Sequence, residues 1–471
     1  MKNISIWKDT VEEKNFKELD KDTNVDVLII GGGITGISSL YHLRDSNLKV
    51  MLVEQNKIGY STTGNSTGKL TYLQNDLIDK IKKYDYDKAI RYVSSQIDAI
   101  KMITDTINKE KIDCDLEEVD SLLYTNKKEE IDKIKELRCF LEDNNINIKD
   151  ESNDLVESKY MIGVSNTYMF HPIKFLYGLI NSSDMIYENT SIKDITLEND
   201  YYICKTDKCI IKAKWVILAS HYPYFNLPYF FPIKGNLEKS YLSASKNKCD
   251  KVSLISYSNP FISIRTYKDY LIYLSNTHSN NKKVDDLEHY NELMKKVFDL
   301  ELKPSYLWSN VDIITNDYVP YIGKIKERLL IGTGYNTWGL TNGFLAGKIL
   351  SDIILDKNNK YINLFDPTRI NMMQVSGSIS DMVKSVDGYI NGLSNKSDII
   401  TYKKIKGKSV ATYKDKDGFM YMVYDTCPHM GCKLIFNEIE ETWDCPCHAS
   451  RFDKSGKCIS GPSNKDITFR N

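Results

Sequence analysis

The stretch "VDVLIIGGGITGISSLYHLRDSNLKVMLVEQ", residues 25–55, decides the fold. Its apolar opening, Val25 to Ile30, suits a buried parallel strand. Gly31, Gly33 and Gly36 follow in G-x-G-x-x-G spacing, a helix pattern runs to about Arg44, and a second apolar run, Lys49 to Val53, ends at Glu54. Gly31 permits a tight turn, Gly33 lets a pyrophosphate approach the backbone, and Gly36 lets helix pack on strand. The helix start, at Ile34 and Thr35, offers N–H donors and a partial positive charge to phosphates. Glu54, with Gln55 after it, is placed to accept hydrogen bonds from a ribose. A lone glycine triplet is weak evidence, but strand, triplet, helix, strand and acid together predict a dinucleotide-binding α/β domain.

A later stretch bears on which dinucleotide. "LLIGTGYNTWGLTNGFLAGKILSDIIL" predicts a strand at Leu329 to Ile331, a Gly-rich turn, and a helix from about Thr341 to Leu355. Gly343 and Gly347, four apart, would let that helix lie close to a neighbour. A second glycine-turn-helix far down the chain suits a flavin better than NAD, because its positive end would favour the charge that a reduced isoalloxazine carries.

These residues resemble the D-amino-acid oxidase and glycine oxidase superfamily of FAD-dependent oxidoreductases. The matching stretches are the fingerprint, "STTGNSTGKLT" (61–71), "DYVPYIG" (317–323), the glycine-turn-helix and "FDPTR" (365–369). The resemblance implies that Thr62, Thr63 and Asn65 lie near the flavin and that Ile192 and Ala219 line the adenosine side. It also implies that the stretch around Gly334, Trp338, Gly339, Leu340 and Thr341 closes over the ring. It implies a Rossmann-like flavin domain, segments about 25–75, 151–230 and 311–370, with an inserted α+β substrate domain, segments about 76–150 and 231–310. Helix patterns near Asp87–Ile107 and Lys128–Leu141, the strand "SLLYT", and strand-like "PFISIRTY" and "YLIYLS" fit that insertion, as does a helix pattern near 287–300. "MFHPIKFLYGLI" (169–180) predicts a helix with Pro172 at an early position. His171 is a candidate for proton transfer, and Arg265 and Lys234 for holding a substrate carboxylate; each also has an ordinary structural reading.

Residues 371–395 carry apolar residues at spacings of three and four, which predicts a connector helix, with a flexible linker as the alternative. After it, residues 396–471, the hairpin pattern Val410–Tyr413, "KDKDG", Phe419–Asp425 leads to Cys427-Pro428-His429 and, fifteen residues later, Cys445-Pro446-Cys447-His448. Zinc favours paired ligands at gaps of two to four, and C-x-H is awkward for it. A Rieske [2Fe–2S] centre holds one iron by two cysteines and the other by two histidines. Cys427, His429, Cys445 and His448 supply that set on two loops. "CPHMGC" and "CPCHASRFD" closely resemble small all-β Rieske domains, and the respiratory branch of that family implies a disulfide between Cys432 and Cys447. The last Rieske strand is expected to be short. Cys114, Cys139, Cys204, Cys209 and Cys249 are expected to be unpaired and buried or inert, and Cys458 a bystander.

Composition bounds the rest. A chain of 471 residues is too long for one core, and 41% hydrophobic with 27% charged residues describes an ordinary soluble protein. No apolar run approaches the roughly 20 residues that span a bilayer. The polar start predicts a cytoplasmic protein. A net charge of −1 gives no reason to expect nucleic acid as a partner. The whole chain resembles prokaryotic FAD-dependent oxidoreductases with a C-terminal Rieske domain. That implies oxidation of a small-molecule substrate, an amine or amino acid, with electrons passing singly to the cluster and on to an external acceptor. The alternatives are an oxidase returning electrons to dioxygen with a structural Rieske domain, and a redox sensor without turnover.

Overall fold

In a computed structural model, the structure describes residues 1–222, 235–258, 261–279, 303–369 and 399–469. The fingerprint strand, Thr23–Ile30, pairs in parallel with Val50–Val53 on one side and Ile210–Leu218 on the other. Met185–Tyr187 extends the sheet beyond Val50–Val53, and Leu329–Thr333 pairs in parallel with the end of Ile210–Leu218. These short, nearly all-apolar runs are what a sheet covered on both faces demands.

The fingerprint helix, Ile34–Leu43, and the later helix, Gly339–Ile354, pack against each other on this sheet. Glycine makes the approach possible. A Cβ on Gly343 would lie 2.4 Å from Ile34 Cγ2, and one on Gly347 would lie 2.4 Å from Ser38 Cβ. Ser38 Oγ donates to the Phe344 carbonyl at 2.7 Å, tying the helices at that contact. Gly36 fits likewise, since a Cβ there would meet the Gly31 carbonyl at 1.9 Å. The later helix begins at Gly339, two residues ahead of the sequence expectation.

The inserted domain is a second eight-stranded sheet, whose edge strand Pro304–Thr315 and its neighbours Gly235–Lys246 and Tyr270–Ser279 are long and antiparallel. Tyr160–Val164 also joins this sheet, pairing with Ser121–Thr125. The segment about 151–230 is therefore not wholly flavin domain: its first strand belongs to the insertion, because its alternate residues cover the insertion's own core. Helices at Tyr86–Glu110 and Ile131–Asp143 match the expected patterns. The helix expected near 287–300, Lys234 and the connector at 371–395 lie outside the described residues.

The C-terminal domain has a three-stranded sheet, Ile400–Ile405, Lys408–Lys414 and Met420–Tyr424, and a four-stranded sheet from Ile435 to Ser460. Buried Trp443 and Phe452 fill the core between them. Among the described residues near the end, Thr468 forms an antiparallel bridge with Val423, flanked by the hydrogen bonds Tyr424 N to Ile467 O and Phe469 N to Met422 O. Among the described residues no helix is long and apolar enough to cross a membrane.

Candidate functional site

A cleft holding about 1,420 Å³ of non-protein space runs along the fingerprint. Gly31, at φ +116°, makes the turn; a Cβ would lie 2.5 Å from the Ala219 carbonyl. A Cβ on Gly33 would meet only Thr63 Oγ1, at 3.2 Å. Neither Ile34–Leu43 nor Gly339–Ile354 has a side-chain cap or an acid in its first turn. Such open helix starts suit an anionic partner.

Glu54 accepts from the N–H groups of Gly32, at 2.7 Å, and Asn56, at 2.8 Å. Burial pushes its carboxyl up, against the pull of those donors. Thr63 Oγ1 accepts from Ile34 N at 3.1 Å. Asn65 donates to the Ser309 carbonyl at 3.0 Å; among the described residues its buried Oδ1 has no hydrogen-bond partner, and neither has the indole N–H of Trp338. Two orphaned buried groups facing a cleft are costly unless a ligand satisfies them, and both fit a flavin. Ile34, Thr35, Gln55, Thr62, Ile192, Ala219, Gly339 and Leu340 line the cleft. Gly334 and Thr341 do not. Gly334 sits in the turn at φ +72°, with Thr315 behind it, and Thr341 Oγ1 turns away to Gln96 at 2.6 Å.

Two catalytic candidates are corrected. His171 caps the helix Pro172–Leu179, its Nδ1 accepting from Lys174 N at 3.2 Å, while Trp7 and Tyr267 pack on its ring. Burial lowers its pKa to about 3. Arg265 is fully buried and donates to the carbonyls of Thr67, Gly68, Phe170 and Thr266, with Trp7 over its guanidinium. Neither reaches the cleft lining. The cleft instead holds residues that were not singled out: Ser220 and His221, Phe261, Ser263, Leu274, Asn310, Asp312, and Ile459 to Gly461 from the C-terminal domain.

In the C-terminal domain, Cys427 and Cys445 lie buried on facing loops; a thiol hydrogen bond from Cys445 pulls Cys427 toward thiolate. The rings of His429 and His448 lie 5.0 Å apart, each with a buried Nδ1 that has no hydrogen-bond partner among the described residues. Two thiols and two unsatisfied imidazole nitrogens fit the donor set of a Rieske cluster. Cys432 and Cys447 are joined by a disulfide, so their proximity within 4.8 Å of Cys445 Sγ is not a metal site.

The two sites are neighbours. The Tyr222 ring lies 5.9 Å from that of His448, and Ser220 and His221 line both the flavin cleft and a second cavity that reaches His448. His221 takes a positive φ of 62°, its Nε2 lies 3.0 Å from the Val311 carbonyl, and burial lowers its pKa to about 4. A charged cluster locks the domains together. Lys239 donates to Asp444 at 2.7 Å, Arg451 donates to Glu440 at 2.7 Å, and Ser309 donates to Glu440 through both its N and Oγ. Gln55 Nε2 donates to Cys458 Sγ at 3.5 Å and Asn56 to the Ile459 carbonyl at 3.3 Å. Cys458 is thus an interface residue rather than a bystander. Of the five other cysteines, Cys139 is exposed.

A family model described as FAD dependent oxidoreductase matches residues 26–353, and one described as Rieske [2Fe-2S] domain matches residues 391–469. Across 98% of its length the chain is 30% identical to YhfW of Bacillus subtilis (strain 168), described as a Rieske 2Fe-2S iron-sulfur protein, covering 96% of it. It is 23% identical to the gamma-glutamylputrescine oxidoreductase of Escherichia coli (strain K12), over 72% of this chain and 85% of that one. Glycine oxidase from Geobacillus kaustophilus shares the fold, with a TM-score of 0.63 at 15% identity over 74% of this chain and 99% of that one. The Rieske match decides between iron–sulfur cluster and zinc.

Proposed function

This chain belongs to the FAD-dependent oxidoreductase family and carries a C-terminal Rieske [2Fe–2S] domain, and from that premise we propose that it oxidises a small nitrogen-bearing substrate and sends the electrons out through the cluster to an external acceptor. The observation that carries this reading is the turn Ser220–Tyr222, which borders the flavin cleft and sets an aromatic ring against His448. When bound, the flavin supplies hydride acceptance and the cluster one-electron storage.

The chain's residues have separate tasks in this reading. Gly31, Gly33 and the helix start at Ile34 and Thr35 would hold the pyrophosphate, with Thr63 Oγ1 already taking the Ile34 N–H, and Glu54 would hold the ribose. Ile192 and Ala219 would flank the adenosine. Thr62, Thr63, Asn65, Trp338, Gly339 and Leu340 would surround the ring system, where the orphaned Asn65 oxygen and Trp338 N–H find partners. Cys427 and Cys445 would hold one iron, His429 and His448 the other. The inserted domain contributes Phe261, Ser263, Leu274, Asn310 and Asp312 to the cleft wall. Relatives named for glycine and for gamma-glutamylputrescine support a nitrogen-bearing substrate.

The test compares the intact protein with His429→Ala under anaerobic turnover with an added one-electron acceptor. The variant is expected to keep substrate-driven flavin reduction and to lose most acceptor reduction. Equal acceptor reduction by both, or faster turnover with dioxygen than with any acceptor, would replace this reading with the oxidase one.

A further inference from the structure

The cleft contains a charge that neither cofactor uses. Asp312 lies on Pro304–Thr315, is 8% exposed, and lines the cleft beside Asn310. Among the described residues its hydrogen-bond partner is Asn310, whose Nδ2 donates to Oδ2 at 3.2 Å; no cation pairs with it. The neighbouring strand places Glu238 directly opposite, on the same face of the sheet. Burial and the Glu238 charge raise the Asp312 carboxyl to about 7.

The other charged or titratable groups lining the cleft are accounted for. Glu54 accepts two backbone N–H groups, and His221 is held neutral by burial. Lys57, at the end near Thr190 and Ser191, pairs with Glu13 at 2.7 Å and Asn15 at 2.5 Å. Among the described residues lining the part of the cleft roofed by Phe261, Ser263, Leu274 and Asn310 there is therefore an acid and no cation; Lys69 lies behind Ser263, spending its Nζ on Ser263 Oγ at 2.8 Å and the Leu254 carbonyl at 2.7 Å, and burial lowers its pKa. A carboxylate there would meet a like charge and no partner; an ammonium would meet its complement.

We propose that Asp312 determines substrate class: its carboxylate pairs with the nitrogen of a cationic amine, and the carbon that is oxidised bears no carboxylate. The proposal rests on the reading above that the cleft oxidises a nitrogen-bearing substrate. The chemistry balances. Asp312 takes the ammonium proton, freeing the nitrogen lone pair. As the C–H bond breaks and a C=N bond forms, the released electron pair would pass as hydride to the flavin the cleft holds, and the product would depart as an iminium that water can hydrolyse.

The test uses the holoprotein, anaerobically, with substrate pairs that differ only by one carboxylate: benzylamine and phenylglycine, butylamine and norvaline, pyrrolidine and proline. In at least one pair the amine is expected to bleach the flavin about 100-fold or more faster than its carboxylated partner. Asp312→Asn, at unchanged FAD content, is expected to slow that amine by about 100-fold. Faster bleaching by the carboxylated partners, or an unaffected Asp312→Asn, would overturn the proposal while leaving the oxidoreductase reading standing. If no compound bleaches a flavin that dithionite still reduces, both fall together. Should Asp312→Asn not fold, flavin absorbance of the unaltered protein decides: benzyltrimethylammonium is expected to perturb it and benzoate not, and the reverse would contradict the assignment.

Discussion

The flavin cleft and the cluster site solve opposite assembly problems. The cleft draws its walls from residues as far apart as Gly31 and Gly461, and most of what it offers is backbone, glycine clearance and open helix starts. The cluster site draws its four proposed ligands from residues 427–448, on two loops tied by one disulfide. A site made of many weak donors loses affinity by degrees, whereas a site of four ligands fails when one is removed. Yet the two share a boundary, because Ile459 to Gly461 close the cleft and Tyr222 touches His448.

The sharpest way to separate them is to delete one ligand. His448→Ala is expected to remove essentially all iron and acid-labile sulfide while FAD stays near one per chain, measured by metal analysis and flavin absorbance. Loss of both cofactors would mean that the loops at 445–461 cannot hold their shape without the cluster. The converse change, Gly33→Val, places a branched side chain where only Thr63 Oγ1 lies nearby and is expected to abolish FAD retention while the Rieske EPR signal survives. A variant that kept FAD would show that the pyrophosphate does not lie over Gly33.

A smaller effect tests the boundary itself. Lys239 lies buried between Asp444 and Glu440, so Lys239→Ala leaves uncompensated acid at the interface and is expected to cost about 3–5 kcal/mol, read as earlier melting of the C-terminal domain in urea. Burial alone would raise Asp444 and Glu440, but Lys239 and Arg451 hold both below their ordinary values. A depressed carboxylate stabilises the fold above its unfolded pKa, about 3.9 for Asp and 4.3 for Glu. That contribution is lost as pH falls through the folded values. Docking is therefore expected to weaken in acid, below about pH 4, and not on the alkaline side. Weakening between pH 6 and 8 would assign the interface to other groups.

The smallest effect is expected from the tie alone. Cys432→Ser opens a loop of sequence separation 15, and is expected to lower domain stability by about 3 kcal/mol while leaving cluster assembly intact. Iron loss equal to that of His448→Ala would put Cys432 among the ligands.

How much of this was legible in the sequence follows from the same contrast. The cluster ligands and the fingerprint could be read because their chemistry needs particular residues at short, fixed spacing. Gly343 and Gly347 were legible too, since a small residue every fourth position has one common use, close helix packing. Asp312 and His221 were not, because strand pairing and a turn near the end of Ile210–Leu218 bring them to the cleft. The signal available was Asn310 and Asp312, two apart on one face of the strand Pro304–Thr315. His171 and Arg265 misled because residue type suggests chemistry, while burial against Trp7, from the far end of the chain, assigns them to packing.

The central claim is that the two neighbouring centres exchange electrons. Anaerobic stopped flow with a reducing substrate, following flavin absorbance and freeze-quenched EPR together, tests it most directly. The account predicts that the reduced-Rieske signal rises as flavin bleaching proceeds, and that Tyr222→Leu slows its appearance without slowing the bleaching. A cluster that stays oxidised beside fully reduced flavin, with turnover unchanged when the cluster is removed, would contradict it.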